Sequence, residues 1–134
     1  LYLFNMAKYL ISKSQYDDII EKILSQLFKN SELKSVDRDD SPWIYDEVTL
    51  NASVSGKVVE FRYVSYMESK VVDGVKTWYH TDTTLMLPEP VVIFVSRMTK
   101  VRQTKAIDAI TNWFEETYDK PIDSVFITDR KYDD

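Results

Sequence analysis

Apolar side chains recur every three or four residues in two segments of the chain, which is the spacing of one face of an α-helix. The first stripe lies among acids and lysines and consists of Tyr16, Ile19, Ile20, Ile23, Leu24, Leu27 and Phe28. It predicts a helix from about Gln15 to Lys29, with Ser14 as its N-cap. The second stripe consists of Ala106, Ile107, Ile110, Trp113 and Phe114. It predicts a helix from about Gln103 to Tyr118 that buries Trp113 and Phe114 in the core.

A period of two, which is typical of half-buried strands, marks the middle of the chain. Val48 to Val54 alternates apolar and polar residues, and Val58 to Tyr66 is rich in β-branched and aromatic residues. Ser55-Gly56 between them is predicted to be a turn, and Asp73-Gly74 is a second and stronger hairpin signal. Lys76 to Leu87 follows as the third strand of a meander.

The run from Val91 to Val95 is apolar at every position, which is typical of a strand covered on both faces. Pro88 and Pro90 separate it from the preceding strand, because proline cannot donate to a sheet ladder. Short strands are also predicted at Leu1 to Met6 and at Ile122 to Thr128. Together these elements indicate an α+β fold, a mostly antiparallel sheet with two amphipathic helices packed on one face.

Composition limits the classes of protein to consider. The chain has 134 residues, of which 44% are hydrophobic, and no repeat or linker divides it, so we expect one domain over residues 1–134. It does not begin with Met, and we expect it to be a fragment of a longer protein. With 0 Cys and 2 Gly, it offers no disulfides, thiolate metal sites or glycine-rich phosphate loops, and no cofactor is expected. No apolar run approaches the roughly 18 residues that span a bilayer, so no membrane partner is expected.

Positive charge is concentrated in one segment of an acidic chain. The net charge is −5, yet Ser96 to Lys105 contains four cations and no acid. We call these cations the basic elbow; they are Arg97, Lys100, Arg102 and Lys105. They lie between the apolar run and the second predicted helix, where backbone N–H groups also favour anions. The elbow therefore predicts a site for DNA phosphates or for an acidic partner, and the alternative is a solvated loop that balances the negative charge elsewhere.

No constellation of residues indicates catalysis. His80 is the only histidine, and without Cys it cannot complete a zinc site, so we expect a surface or cross-strand polar residue. The acidic loop from Asp37 to Glu47 lacks the glycine and the ligand register of a calcium loop, and we expect it to be solvated. A small hydrolase that uses acids such as Asp82 or Glu89 is a third possibility, which burial of those acids in a cleft would favour.

Trp43 is a candidate contact residue. It follows Pro42 within residues 30–46, which are polar and acidic and are predicted to form a surface loop. A tryptophan in such a loop either folds back over an edge of the core, which we favour, or stays exposed as an anchor for a partner. In the second case Trp43 or an exposed sheet edge would be the contact surface of a general peptide- or nucleic-acid-binding domain.

Three stretches of the chain carry a resemblance to one known family. The first comprises Leu1-Tyr2, Lys8-Tyr9-Leu10 and the helix ending in Ile23-Leu24, and the second is Thr77-Trp78 leading into Leu87-Pro88. The third and most specific comprises Thr104-Lys105-Ala106-Ile107, Asn112-Trp113-Phe114, Thr117-Tyr118-Asp119 and Pro121-Ile122. These stretches resemble the N-terminal half of the CENP-L family of inner-kinetochore proteins.

The resemblance implies a function that the composition alone does not indicate. It implies a non-enzymatic scaffold of the constitutive centromere-associated network, located in the nucleus at the centromere, which assists assembly on centromeric chromatin. A CENP-N-type protein and other inner-kinetochore subunits are the implied partners, although the family's heterodimerising region lies in its C-terminal half. The family's DNA-facing basic surface is carried over by character to Arg97, Lys100, Arg102 and Lys105.

Overall fold

The computed structural model describes residues 13–37 and 40–128 of the chain. In chain order the elements are α1 (Lys13–Leu27), β1 (Lys34–Ser35), β2 (Ile44–Val54), β3 (Lys57–Val72), β4 (Val75–Pro88), α2 (Glu89–Thr99), α3 (Gln103–Tyr118) and β5 (Ser124–Thr128). The five strands form one sheet in the order β1-β2-β3-β4-β5. All neighbours are antiparallel except β4 and β5, which are parallel. The predicted α+β class is confirmed, whereas the strand predicted at Leu1 to Met6 lies outside the described residues.

Two tight turns set the register of the central hairpins. Ser55 and Gly56 have φ of 52° and 80°, and Asp73 and Gly74 have φ of 51° and 78°. Two consecutive residues with positive φ are the signature of a type I′ turn, whose twist matches that of the strands that it joins. Both turns predicted from the sequence are therefore confirmed.

The helices cover one face of the sheet, where the core lies. A parallel pair of strands needs a crossover connection, and α2 and α3 provide it between β4 and β5. The ring of Phe28, from the end of α1, stands 4.9 Å from that of Phe61 in β3 and 5.1 Å from that of Trp113 in α3. Trp113 and Phe114 are buried, as predicted.

The apolar run Val91 to Val95 is helical, so the strand predicted there is wrong. It forms the centre of α2, which makes three described helices where two were predicted. A run that is apolar at every position does not distinguish a strand from a helix, and β-branched residues favoured the strand. Pro90 lies in the first helical turn, where the missing N–H costs nothing. A proline at this position marks the start of a helix as well as the end of a strand.

The remaining boundaries shift by a few residues. The bounds of α3 are those predicted, whereas α1 already includes Ser14, so this residue is not its N-cap. The segment predicted as a loop over residues 30–46 contains β1 and the first residues of β2. The final strand begins at Ser124, two residues after the predicted start.

Candidate functional site

The β3–β4 hairpin extends beyond the rest of the sheet. These strands pair from Arg62 and Met86 to the turn, but β2 stops pairing with β3 at Tyr66 and β5 pairs with β4 only from Thr84 onward. Residues 67–80 are therefore a two-stranded ribbon, which we call the arm. Its six residue pairs project about 20 Å, at roughly 3.3 Å per residue.

A β-bulge marks the base of the arm. Asp82 pairs with Tyr66 and His80 pairs with Met67, so Thr81 is the extra residue on β4. Bulges bend a strand and increase its local twist, and they often occur where a strand leaves regular pairing. The arm is thus set off from the sheet where the pairing of β3 with β2 stops.

Both faces of the arm carry an aromatic ring with a lysine above it. On one face Lys76 Nζ lies 5.1 Å from the ring centre of Trp78. On the other face Lys70 Nζ lies 5.8 Å from the ring centre of Tyr79. The three valines around the turn, Val71, Val72 and Val75, are exposed. No residue of the arm belongs to the core cluster, so these side chains do not stabilise the core.

The arm also presents a free backbone edge. In a two-residue hairpin the residues flanking the turn exchange hydrogen bonds, and bonded pairs alternate with unbonded pairs along the ladder. Counting from Val72 and Val75, the outward-pointing backbone groups of β4 belong to Lys76, Trp78 and His80. Within the described part of the chain no strand pairs with this edge. An exposed edge of this kind is a template for strand addition by another chain.

Trp43 and Tyr45 lie at the base of the arm. By the same alternation, the N–H of Met67 points outward from the arm. It donates a hydrogen bond to the carbonyl oxygen of Trp43, with an N···O distance of 2.6 Å. The side chain of Trp43 is 50% exposed, so the favoured prediction that it covers a core edge is wrong, and the alternative of an exposed aromatic residue is observed. Tyr45 is 71% exposed, and its ring meets that of His80 edge-on at 6.4 Å. Tyr45 is a further candidate contact residue that the sequence pattern does not mark.

His80 is a cross-strand polar residue at the arm's base, as predicted. Its Nε2 atom is hydrogen-bonded to Oγ of Ser65 and lies 3.2 Å from Oγ1 of Thr83. A serine beside a histidine can act as a nucleophile only if substrate reaches it. Ser65 is 3% exposed, so the described surface gives a substrate no access to it. The cluster therefore ties β3 to β4 across the bulge.

The acids considered for hydrolysis do not share a cleft. Asp82 accepts hydrogen bonds from Thr84 at 2.9 Å and from Ser124 at 3.1 Å, which joins β4 to β5. Glu89, at the start of α2, is half-buried. Both carboxylates are partly buried, which is neither the deep burial that would favour a hydrolase nor the free exposure that would count against one. No group of three or more metal-ligating side chains occurs within residues 13–37 and 40–128.

The acidic loop is less solvated than predicted. Asp46 lies in β2 and forms a salt bridge with Lys120, with Nζ and Oδ2 2.8 Å apart. Glu47 is buried in the same strand. Asp37 and Asp40 are exposed, as predicted, and Asp39 lies outside the described residues.

The basic elbow joins two helices, because the element before it is α2 and not a strand. Lys100 ends α2 in the left-handed conformation with φ 57°, and Arg102 is the N-cap residue of α3. Arg97, Lys100, Arg102 and Lys105 are all exposed. They do not converge on one pocket. Arg97 lines a groove beside the β2–β3 turn, whereas Lys105 lines a cavity of about 330 Å³ between α1 and α3.

Comparison of the chain with protein-family models, with curated proteins and with solved structures found no match. The similarity to the CENP-L family therefore stands on the quoted residues alone, and what it implies stays a prediction. In the part of the chain that the structure describes, no helix has the length and apolar character needed to cross a bilayer.

Proposed function

We propose that this chain is a non-enzymatic protein-binding module that contacts its partner through the arm and the arm's base. One observation carries the proposal. Six of the ten exposed large hydrophobic residues in the described part of the chain lie there: Trp43, Tyr45, Val71, Val72, Val75 and Tyr79. Clustered apolar side chains at the surface of a domain that already has a full core are typical of a contact site.

The physical state of the arm supports this proposal. An isolated two-stranded hairpin is at best marginally stable in water. The arm has no packed face of its own, so a partner that covers it would bury valine and aromatic side chains, each worth about 1.5–3 kcal/mol when fully buried. We propose that the partner supplies an extended segment, which pairs with the outward backbone groups of Lys76, Trp78 and His80. Lys70 and Lys76 would then favour acidic residues in that segment.

Site-specific cross-linking tests the contact surface. A photoreactive phenylalanine analogue placed at Tyr79 should cross-link a partner in cells, whereas the same group placed at Phe126 should not. Phe126 is a matched control because its side chain is also exposed but lies on β5, outside the arm.

The partner identified in this way would then be purified and its affinity measured. The Trp78→Ser and Tyr79→Ser double variant should weaken binding by about 100-fold, since aromatic residues dominate interface energies, and the Phe126→Ser variant should change it less than about threefold. Equal affinity of the wild type and the double variant would refute the arm as the contact surface.

Placement of this module in the inner kinetochore is a narrower proposal, and the CENP-L resemblance alone supports it. Its test is the identity of the cross-linked or co-purified protein. A CENP-N-type protein or another inner-kinetochore subunit would support the placement. Repeated purification from nuclear extract without any kinetochore protein would remove it and leave the general binding module.

A further inference from the structure

Helix α2 is apolar on two faces, and only one of them is buried in the core. Val91, Val92 and Val95 are fully buried against the sheet and its neighbours. On another side of the same helix Ile93 and Phe94 are only half-buried, and Met98 is 60% exposed. A surface helix normally carries polar residues opposite its buried stripe. Phe94 packs partly against the core, whereas Ile93 and Met98 are not among the side chains that pack there, and the arm lies elsewhere.

This second face forms the floor of a groove. The groove has a volume of about 510 Å³ and runs between α2 and the β2–β3 turn. Val54, Ile93, Phe94 and Met98 supply apolar lining, and Lys57 and Arg97 supply two exposed cations. Glu89 lies at the α2 N-terminal end, eight residues or about 12 Å before Arg97. The Arg97 end is thus the positive end, and Lys100 and Arg102 of the basic elbow follow it in sequence.

We propose that this groove binds a short amphipathic helix of a partner protein, with an apolar face flanked by Asp and Glu residues. The apolar floor calls for apolar side chains at intervals of three and four residues, as in other helix-in-groove complexes. The positive charges of Lys57 and Arg97 favour carboxylates at the flanks of that helix. A DNA ligand would leave Phe94 and Met98 uncovered, because its phosphates would contact only the cationic side chains.

The groove is separate from the arm. Lys57 is the first residue of β3, and the arm contains its last residue, Val72. Met67, where the arm begins, is ten residues along the strand from Lys57, so the arm lies between about 33 Å at its base and about 50 Å at its tip from the groove, at roughly 3.3 Å per residue. One domain could therefore hold two partners at once, which a scaffold requires.

Fluorescence anisotropy with a labelled model peptide tests the groove. The probe is a peptide of about 15 residues with Leu and Phe on one helical face and Glu on its flanks, and the reference peptide carries Lys in place of Glu. We expect the Glu peptide to bind at least about tenfold more tightly than the Lys peptide. No binding of the Glu peptide, or equal affinity for the two peptides, would overturn the proposal.

Variants of the chain then locate the bound peptide. Met98→Asp and Arg97→Glu should each weaken binding by about tenfold or more, because one places a charge on the floor and the other repels the flank. Lys105→Glu is the matched control, since it makes the same charge change in the basic elbow but lies outside the groove. It should change affinity less than about threefold.

Two outcomes would point to another ligand. Equal loss in Arg97→Glu and Lys105→Glu would indicate unspecific attraction to the elbow and would overturn the groove. If the chain binds a DNA duplex but not the Glu peptide, and if Arg97→Glu and Lys105→Glu both abolish DNA binding, the ligand is nucleic acid and the groove proposal is overturned. Thermal unfolding of each variant checks that the fold is intact, which we expect because all three side chains are exposed.

Discussion

The hydroxyl of Tyr63 donates a hydrogen bond of 2.8 Å to the carbonyl oxygen of Pro121. The two residues are 58 positions apart, and the bond fixes the segment before β5 against the centre of β3. Lys120 Nζ lies 5.5 Å from the centre of the same ring and also pairs with Asp46. These contacts hold the α3–β5 connection beside the base of the arm.

Stability should fall in alkaline solution. Burial raises the pKa of Tyr63, and a hydrogen bond with Thr83 opposes part of this effect; burial also raises the pKa of Tyr118. Because the folded pKa lies above the unfolded value of about 10, the unfolded chain loses these protons first. The contribution of these two tyrosines to the free energy of unfolding is therefore constant below about pH 10. It falls as the pH rises from there through the folded pKa.

Urea unfolding between about pH 8 and pH 11 would measure this fall. The Tyr63→Phe variant should be less stable by about 1 kcal/mol at pH 8, since it lacks the bond to Pro121, and should show a shallower alkaline fall. A fall as steep as in the wild type would mean that Tyr63 does not contribute to it.

The arm should unfold locally without loss of the core. Gly74 has φ of 78°, and an alanine there costs about 1 kcal/mol of backbone strain. We expect Gly74→Ala to speed amide hydrogen exchange in residues 67–80 and to leave the free energy of global unfolding nearly unchanged. Gly56→Ala, with φ of 80° in the turn between β2 and β3, should instead lower global stability. Equal global effects of the two substitutions would show that the arm folds as part of the core.

Phe28 should be among the most sensitive core positions. Its ring packs against both Phe61 and Trp113, so Phe28→Ala would leave a cavity and destabilise the fold by about 3–5 kcal/mol. Phe126→Ala removes the same side chain from an exposed position and should cost less than about 1 kcal/mol. Chemical denaturation of both variants provides the comparison, and similar losses would contradict the placement of Phe28 between the sheet and α3.

The DNA interface predicted for the basic elbow has a distinct salt signature. If Arg97, Lys100, Arg102 and Lys105 each neutralise one phosphate, log affinity should fall with log salt at a slope of roughly −3 to −4. Changing all four to Ala should abolish that slope. A control that changes four scattered exposed lysines to Ala makes the same change in net charge; the lysines are Lys22, Lys29, Lys34 and Lys70. An equal effect in that control would mean that the elbow is not the interface.

Local chemistry explains which parts of the fold could be predicted. Asp73-Gly74 and Ser55-Gly56 identify their turns because few other residue pairs tolerate two positive φ angles. The stripe containing Trp113 and Phe114 identifies α3 because its polar face is distinct. Helix α2 lacks such a polar face, so its periodicity is hidden, and the groove that its second face lines could not be foreseen.

The arm could not be predicted because its existence depends on where other strands stop. The strand predicted at Val58 to Tyr66 stops before the part of β3 that forms the arm, and nothing in the sequence marks that pairing with β2 extends only to Tyr66. Trp43 and Tyr45 are exposed for the same reason, since both lie where β2 meets the base of the arm. The residues of the basic elbow were identified correctly as surface cations, but whether they converge depends on the α2–α3 connection.

β3 joins the two proposed contact surfaces, alongside β4, which leads from the arm directly into α2, and this has a mechanical consequence. Partners pulling on the groove and on the arm would apply tension along the length of β3. Hydrogen bonds to β2 and β4 run across that direction, so many of them would bear the load together in shear instead of opening one after another. A domain loaded in this way resists extension far better than a hairpin pulled apart from its open end, and it could transmit tension between two bound proteins.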